Sequence, residues 1–129
     1  VRYGCGQLNA EDFIPAIGKI VKKAGADYGV GITTKDLYVP ELNFVFGLAS
    51  ILQKSCVVSL ARLTDGDKKL YIKRAAKEVV HELGHLFGLE HCDNARCVMH
   101  FSNCLADTDY KQGNFCRECE SRCKGILKK

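Results

Sequence analysis

At 129 residues the chain has the length of one domain and can bury a core without depending on disulfides. Apolar residues make up 47% and charged residues 26%, the balance of a soluble globular protein, and the longest nearly apolar stretch, Phe44 to Leu52, is broken by Gly47 and Ser50 and too short to span a bilayer. A net charge of +4, with Lys and Arg spread along the chain, argues against a nucleic-acid surface, and the N-terminal stretch lacks the order of a signal peptide.

Val1 to Gln7, with Gly4 and Gly6 around Cys5, reads as irregular or weakly extended. Asn9, with Asp12 three residues on, has the chemistry of a helix start whose side chain caps free amides. Phe13, Ile14, Ile17, Ile20, Val21 and Ala24 then keep a 3.6-residue period opposite Lys19, Lys22 and Lys23, which predicts an amphipathic helix ending near Gly25. Tyr28 to Thr34 alternates and predicts a strand through Val30 and Ile32. Lys35 to Glu41 is a connection with a short extended piece, Asn43 to Ala49 a second strand, and Ser55 to Leu63 a third. Strands with a helix before and a helix after predict a mixed α/β layered fold. Asp65-Gly66-Asp67 carries turn and cap chemistry, and a long helix should start there, with Ala75, Val79, Leu83 and Leu86 as its packed stripe and His81 and His85 on a neighbouring face.

The run from His81 to His91 holds the chain's chemistry. His81 and His85 are four apart, so on a helix they are separated by a rotation of roughly 400° and leave the same face one turn apart, able to share one ion. Glu82 is one step round from His81, near enough to reach a water beside that ion and badly placed to bind it, which is the position of a general base. Gly88 can adopt the left-handed conformation that ends a helix, letting the chain turn back so that His91 becomes a third ligand. Three neutral imidazoles leave a fourth tetrahedral position open, and zinc in such a site lowers the pKa of water toward about 7. Met99, the only methionine, follows eight residues after His91, where a turn would pass beneath the metal.

Six of the eight cysteines follow within a short reach. Cys92 and Cys97 form one compact pair and Cys116 and Cys119 another, and two thiolate pairs separated by a loop suit a tetrahedral structural zinc. Arg96, Arg117, Arg122 and Lys124 lie near enough in sequence to offset its negative charge. Cys104 and Cys123 compete as ligands, and two disulfides or buried thiols are the alternative. Cys5 and Cys56 read as small buried hydrophobes. The clustering favours metal and a reducing, cytoplasmic compartment. His100, attached to no motif, reads as structural or exposed.

Taken together, His91-Cys92, Cys97-Val98-Met99 and Cys116-x-x-Cys119 make the chain resemble the archaemetzincins, a family in the metzincin clan of zinc metallopeptidases. Asn43-Phe44-Val45-Phe46-Gly47 and Arg62-Leu63-Thr64 also resemble family stretches, so the likeness runs from about Tyr28 to Cys123. The resemblance implies a catalytic zinc on His81, His85 and His91, Glu82 as general base, Met99 in a methionine turn, and a structural zinc on Cys92, Cys97, Cys116 and Cys119. It also implies a metzincin-like zincin fold, a twisted mixed sheet over the active-site helix with a small C-terminal subdomain below the cleft. Family members usually carry another strand and helix ahead of the region matching Asn9 to Ala26; on that comparison this chain is a short form or has lost its N-terminus.

The expected organisation is one metalloprotease domain over 1–129, with the sheet and active-site helix in 1–91 and the methionine turn and cysteine zinc subdomain in 92–129. The expected function is that of a zinc-dependent endo- or aminopeptidase with two zinc ions, acting as a cytoplasmic monomer on peptides or unfolded protein. An extended substrate would add as a strand to a cleft rim expected at Cys56 to Ala61. The rival readings are a catalytically silent, zinc-stabilised module that binds peptides or proteins, and a basic zinc-ribbon-like nucleic-acid binder. The second has neither a dense basic stripe nor an interleaved aromatic platform to support it.

Overall fold

Local capping starts the chain's order. In the computed structural model, which describes residues 6–128, strand β1 (Leu8–Asn9) leads into a turn of 3-10 helix at Ala10–Asp12, where the Asn9 side chain accepts the Glu11 amide at 2.9 Å. Helix α1 (Phe13–Ala24) follows and stops at Gly25, whose φ of +67° is free of strain only for a residue without Cβ. Its buried face is Ile14, Gly18 and Val21; Ile20, expected in that stripe, is 67% exposed. The expectations for Val1 to Cys5 lie outside the described residues.

Strand β2 (Gly29–Thr33) alternates as expected, with Gly29, Gly31 and Thr33 on the inner face. A Cβ on Gly29 would lie 2.5 Å from Val21 Cγ2, and one on Gly31 2.6 Å from Ile17 Cδ1. The glycines thus let α1 approach the sheet closely, and Val30 and Ile32 face outward. The piece after it is a true strand, β3 (Leu37–Val39), with Leu37 fully buried.

The single strand expected over Asn43 to Ala49 is two, β4 (Leu42–Val45) and β5 (Gly47–Ser50), interrupted at Phe46. The interruption carries the chain from one three-stranded sheet, ordered β1-β3-β4, into a second, ordered β2-β6-β5. Strand β6 (Ser55–Ser59) is shorter than expected: Ser59 Oγ donates to the Lys35 carbonyl at 2.7 Å and accepts the Ala61 amide at 3.2 Å, turning the chain away. It runs parallel to β2 and antiparallel to β5 and is buried along its whole length. Val57 joins Ile14, Leu37 and Val39 in the core on the α1 side. Full burial of such a valine is worth about 1.5–3 kcal/mol.

Helix α2 (Lys68–Leu86) starts where the cap chemistry predicts, with the Asp67 carboxylate accepting the Lys69 and Leu70 amides at 3.0 and 3.1 Å. It packs across β5 and β6. Its deepest positions are mostly polar, namely Arg74, Glu78, His81 and Glu82 with Gly84 and Leu86, whereas the expected stripe residues Ala75, Val79 and Leu83 are half-buried. The burial is tolerated because the C-terminal segment supplies partners. Arg74 donates to both Asp109 carboxylate oxygens, at 2.8 and 2.7 Å, and to the Leu63 carbonyl at 2.7 Å. These hydrogen bonds hold the Asp109 carboxyl below the usual carboxylate range. Asp109 lies on α3 (Leu105–Tyr110), and α4 (Arg117–Leu127) closes the chain. A small second core of Leu89, Cys97, Val98, Met99, Cys119 and Cys123 lies between α4 and the end of α2. Among the described residues no helix is long and apolar enough to cross a membrane.

Candidate metal centre

Helix α2 ends in a sharp reversal. Gly88, at φ +97°, follows Phe87; its amide donates to the His85 carbonyl at 3.0 Å, and the Leu89 amide donates back to Gly84 at 2.9 Å. The reversal brings His91 against the two helical imidazoles. The ring centroids of His81, His85 and His91 lie 4.8 to 5.3 Å apart, and one nitrogen from each falls within 4.8 Å of the others.

Two of the three rings are oriented by backbone carbonyls. His81 Nδ1 is 2.7 Å from the Val98 carbonyl and His85 Nδ1 is 2.9 Å from the Leu89 carbonyl. A carbonyl can only accept, so Nδ1 carries the proton in both and the Nε2 lone pair is left for a ligand. Burial, foremost, keeps all three imidazoles below their ordinary pKa, His81 down to about 3, so they are neutral and ready to bind a cation at neutral pH. This donor set, three neutral imidazoles of which two have their tautomers fixed, fits zinc.

Met99 is fully buried under the helix. It fits because position 84 is glycine: a Cβ there would lie 2.3 Å from Met99 Sδ and 3.2 Å from Phe115 Cε1. Gly84→Ala should therefore destabilise the fold by about 1–3 kcal/mol through overpacking. By displacing the turn that carries Val98 it should also weaken zinc binding at the histidines. Urea unfolding together with chelator competition would check both, and an unchanged zinc affinity would show that Met99 has no part in holding the site.

Glu82 lies on the wall of a cleft of about 1050 Å³ and is itself only 5% exposed. Burial, helped by the nearby Glu78 carboxylate and opposed by Lys111, pushes its carboxyl up to about 8. Across the cleft wall it rests on β5, where a Cβ at Gly47 would lie 2.7 Å from Glu82 Oε2. The rest of the lining is largely apolar, including Phe44, Phe46, Leu48, Ile51, Leu52 and Phe101.

A second cluster closes beside the first. The sulfurs of Cys92, Cys97, Cys116 and Cys119 lie within 4.8 Å of one another, and Cys92 and Cys116 are 3.8 Å apart. That is too far for a disulfide and equals the edge, about 3.8 Å, of a tetrahedron of sulfurs at zinc–thiolate distance. None of the seven described cysteines is in a disulfide, and neither Cys104 nor Cys123 belongs to the cluster. Cys56 is fully buried as expected, with its thiol pushed up to about 12 by burial.

Three of the four basic residues expected to offset the sulfurs are engaged elsewhere, and Arg117 lines a small pocket beside Cys92 and Cys116. Arg96 donates to the Tyr110 carbonyl, and Arg122 and Lys124 pair with Glu118 and Glu120. Backbone amides take that part instead, those of Met99 and Cys116 donating to Cys97 Sγ at 3.4 and 3.3 Å. His100 is half-buried and tied in, its Nδ1 donating to the Cys92 carbonyl at 2.8 Å. Sequence reasoning missed Glu78, Gly47, Gly84 and Lys111. Glu78 was signalled by standing four residues before Glu82 on the same helix face; nothing local marks Lys111.

A mixed sheet carrying a long helix that ends in three converging imidazoles defines a class, and comparison with known proteins agrees with it. The model of peptidase family M54 matches residues 16–125, and the chain belongs to that family. The relatives it matches are archaemetzincins. It is 50% identical over 116 residues to the archaemetzincin of Thermococcus kodakarensis, covering 85% of this chain and 62% of that protein. The likeness to the Methanopyrus kandleri archaemetzincin is 50% over 107 residues, or 83% of this chain and 61% of that one. The chain thus spans about three fifths of the length of these relatives. The crystal structure of the M. kandleri protein superposes with a TM-score of 0.87 at 44% identity, over 96% of this chain and 68% of that one. That of Archaeoglobus fulgidus archaemetzincin, complexed with malonate, gives 0.78 at 42%, over 90% and 69%. The mixed α/β fold is therefore the archaemetzincin fold.

Proposed function

We propose that this chain carries the peptide-cleaving centre of a zinc metallopeptidase, with His81, His85 and His91 holding the catalytic zinc and Glu82 acting as general base. The observation that carries the reading is the convergence of three imidazoles, those of His81 and His85 with tautomers set, on a cleft whose wall presents a carboxyl group. Membership of a peptidase family supports it. When bound there, zinc supplies Lewis acidity, polarising a carbonyl and easing loss of a proton from water. Glu82 accepts the proton of the attacking water on a carboxylate oxygen and delivers it to the leaving nitrogen, so the carboxylate ends as it began. The apolar cleft excludes bulk water around that transfer.

We place a second, structural zinc on Cys92, Cys97, Cys116 and Cys119, clamping 92–129 as a subdomain against the end of α2. All seven proposed ligands and Glu82 come from one chain, so a monomer suffices. The described cysteines being free fits a reducing, cytoplasmic setting.

The rim that takes the substrate is β5. The strand expected there, Cys56 to Ala61, corresponds to β6, which lies between β2 and β5 with both edges paired. Strand β5 is the sheet's edge and lines the cleft. Ser59 donates to the Phe46 carbonyl at 2.9 Å, and alternate pairing then turns the amides and carbonyls of Gly47 and Ala49 away from β6, free to pair with an extended peptide. Ala49→Pro removes one of these outward amides and none that β6 needs. It should raise KM about tenfold while changing kcat less; a fall in kcat alone would argue against strand addition.

The test of the function is a mixed peptide library incubated with zinc-loaded protein and read by mass spectrometry. Cleavage lost on chelation and regained with zinc supports a peptidase. Peptides retained intact by the zinc-loaded protein would identify the silent binding module instead.

A further inference from the structure

Among the described residues, the largest side chain that the fold buries completely is a lysine. Lys111 follows α3, its Nζ 3.5 Å from Glu78 Oε2 and donating to the His100 carbonyl at 3.0 Å. Glu78, itself 2% exposed, also accepts the Thr108 hydroxyl at 3.1 Å. Desolvating such a pair is costly, and apolar side chains of the same volume often serve packing as well or better. Packing alone is a poor reason for its presence.

The contacts around it trace a closed path. Glu78 stands on α2 one turn before His81. From Glu78 the path passes to Lys111 and on to the His100 carbonyl, at the end of a tight turn in which the His100 amide donates to Cys97 at 2.9 Å. The same turn carries Met99, which packs under Gly84, and the Val98 carbonyl, which orients His81 Nδ1 at 2.7 Å. The path therefore leaves α2 and returns to it within one helical turn, through the peptide units that set the angle of a metal-binding ring. On the other side the turn is fastened by the Cys92 amide, which donates to the Met99 carbonyl at 3.0 Å.

We propose that Lys111, held by Glu78, is a positioning residue of the histidine metal site: it pins the turn at His100 so that the Val98 carbonyl fixes the His81 imidazole with its Nε2 toward the ion. This rests on the reading of the histidine site given above. Because Lys111 is fully buried and acts through the turn, it shapes ligand geometry and does not touch substrate.

Lys111→Met alone would leave the Glu78 charge buried and unpaired, and a loss of fold would blur its meaning. The informative variant is the double Glu78→Gln/Lys111→Met, which removes both charges and keeps an amide oxygen for the Thr108 hydroxyl. The measurement is the zinc affinity of each of the two sites by chelator competition, beside the melting temperature, kcat and KM. The expected result is a histidine site weakened about tenfold or more with the cysteine site unchanged, and a lowered kcat at constant KM. A histidine-site affinity and kcat equal to wild type would overturn the proposal, and so would both sites weakening together, since that is loss of fold. A wild-type protein that binds zinc only at the cysteines would show that the histidine reading itself fails, before any variant is compared.

Discussion

Replacing Glu82 with alanine is expected to leave the zinc content unchanged and lower kcat by about 10²–10⁴-fold, the usual worth of a positioned acid–base group. The expectation follows from where the carboxylate sits. It lies beside the imidazoles without belonging to their cluster, so removing it takes away no ligand. It lies on the cleft wall, against the edge strand β5, so it is placed to handle a proton on a peptide bound there. Burial raises its proton affinity, which suits holding a proton for the leaving nitrogen, and the charge of a zinc bound at the histidines would lower it so that the group starts as a carboxylate. Glu82→Gln keeps the shape and removes the basicity, and it should match alanine in kcat while holding KM near wild type. If either variant turned over substrate at the wild-type rate, the proton would have to travel by another group.

Cys116→Ala is expected to have the largest effect on stability. The structural-zinc reading gives that ion an apparent binding free energy of about 10–16 kcal/mol by analogy with zinc-finger peptides, against a total stability of about 5–15 kcal/mol for a typical domain. Losing one ligand would therefore be enough to free the segment it clamps. Cys116 caps α4, and the second core of Leu89, Val98 and Met99 with Cys97, Cys119 and Cys123 would open with it. Since Val98 and Met99 belong to that core, activity should fall as well. Calorimetry should show a drop in melting temperature well beyond that of an ordinary core substitution, and amide exchange should speed up across Arg117–Leu127. A melting temperature within a few degrees of wild type would mean the sulfurs are merely buried thiols.

How much of this was legible in the sequence depends on the range of the forces involved. Features set within one or two helical turns were readable: the caps at Asn9 and Asp67, the stop at Gly25, and the spacing that puts His81 and His85 on one face. So was the division of the cysteines, because each pair is a short local turn. Features set by distant partners were not. Asn43 to Ala49 read as one strand despite Gly47, and the pairing with neighbouring strands divides it at Phe46 between two sheets. The alternation of Tyr28 to Thr34 marked a strand without saying which face is inward, and close approach by α1 gave that face to Gly29 and Gly31. The packed stripe of α2 was expected at Ala75, Val79, Leu83 and Leu86, whereas Arg74 and Glu78 are the buried positions, because their partners, Asp109 and Lys111, come from a segment about thirty residues away. The cleft rim was misplaced for the same reason, since which strand is an edge is a property of the whole sheet.

The central claim is that three imidazoles grip one ion that the chemistry requires, independently of the ion gripped by four sulfurs. Zinc content of wild type, His85→Ala and Cys116→Ala, measured by mass spectrometry of the metal beside cleavage of the peptide library, tests it most directly. The account predicts two zinc ions per chain in wild type, one in each variant, and products only where the histidine site is filled. Wild-type cleavage by His85→Ala, or two zinc ions retained in it, would contradict the account.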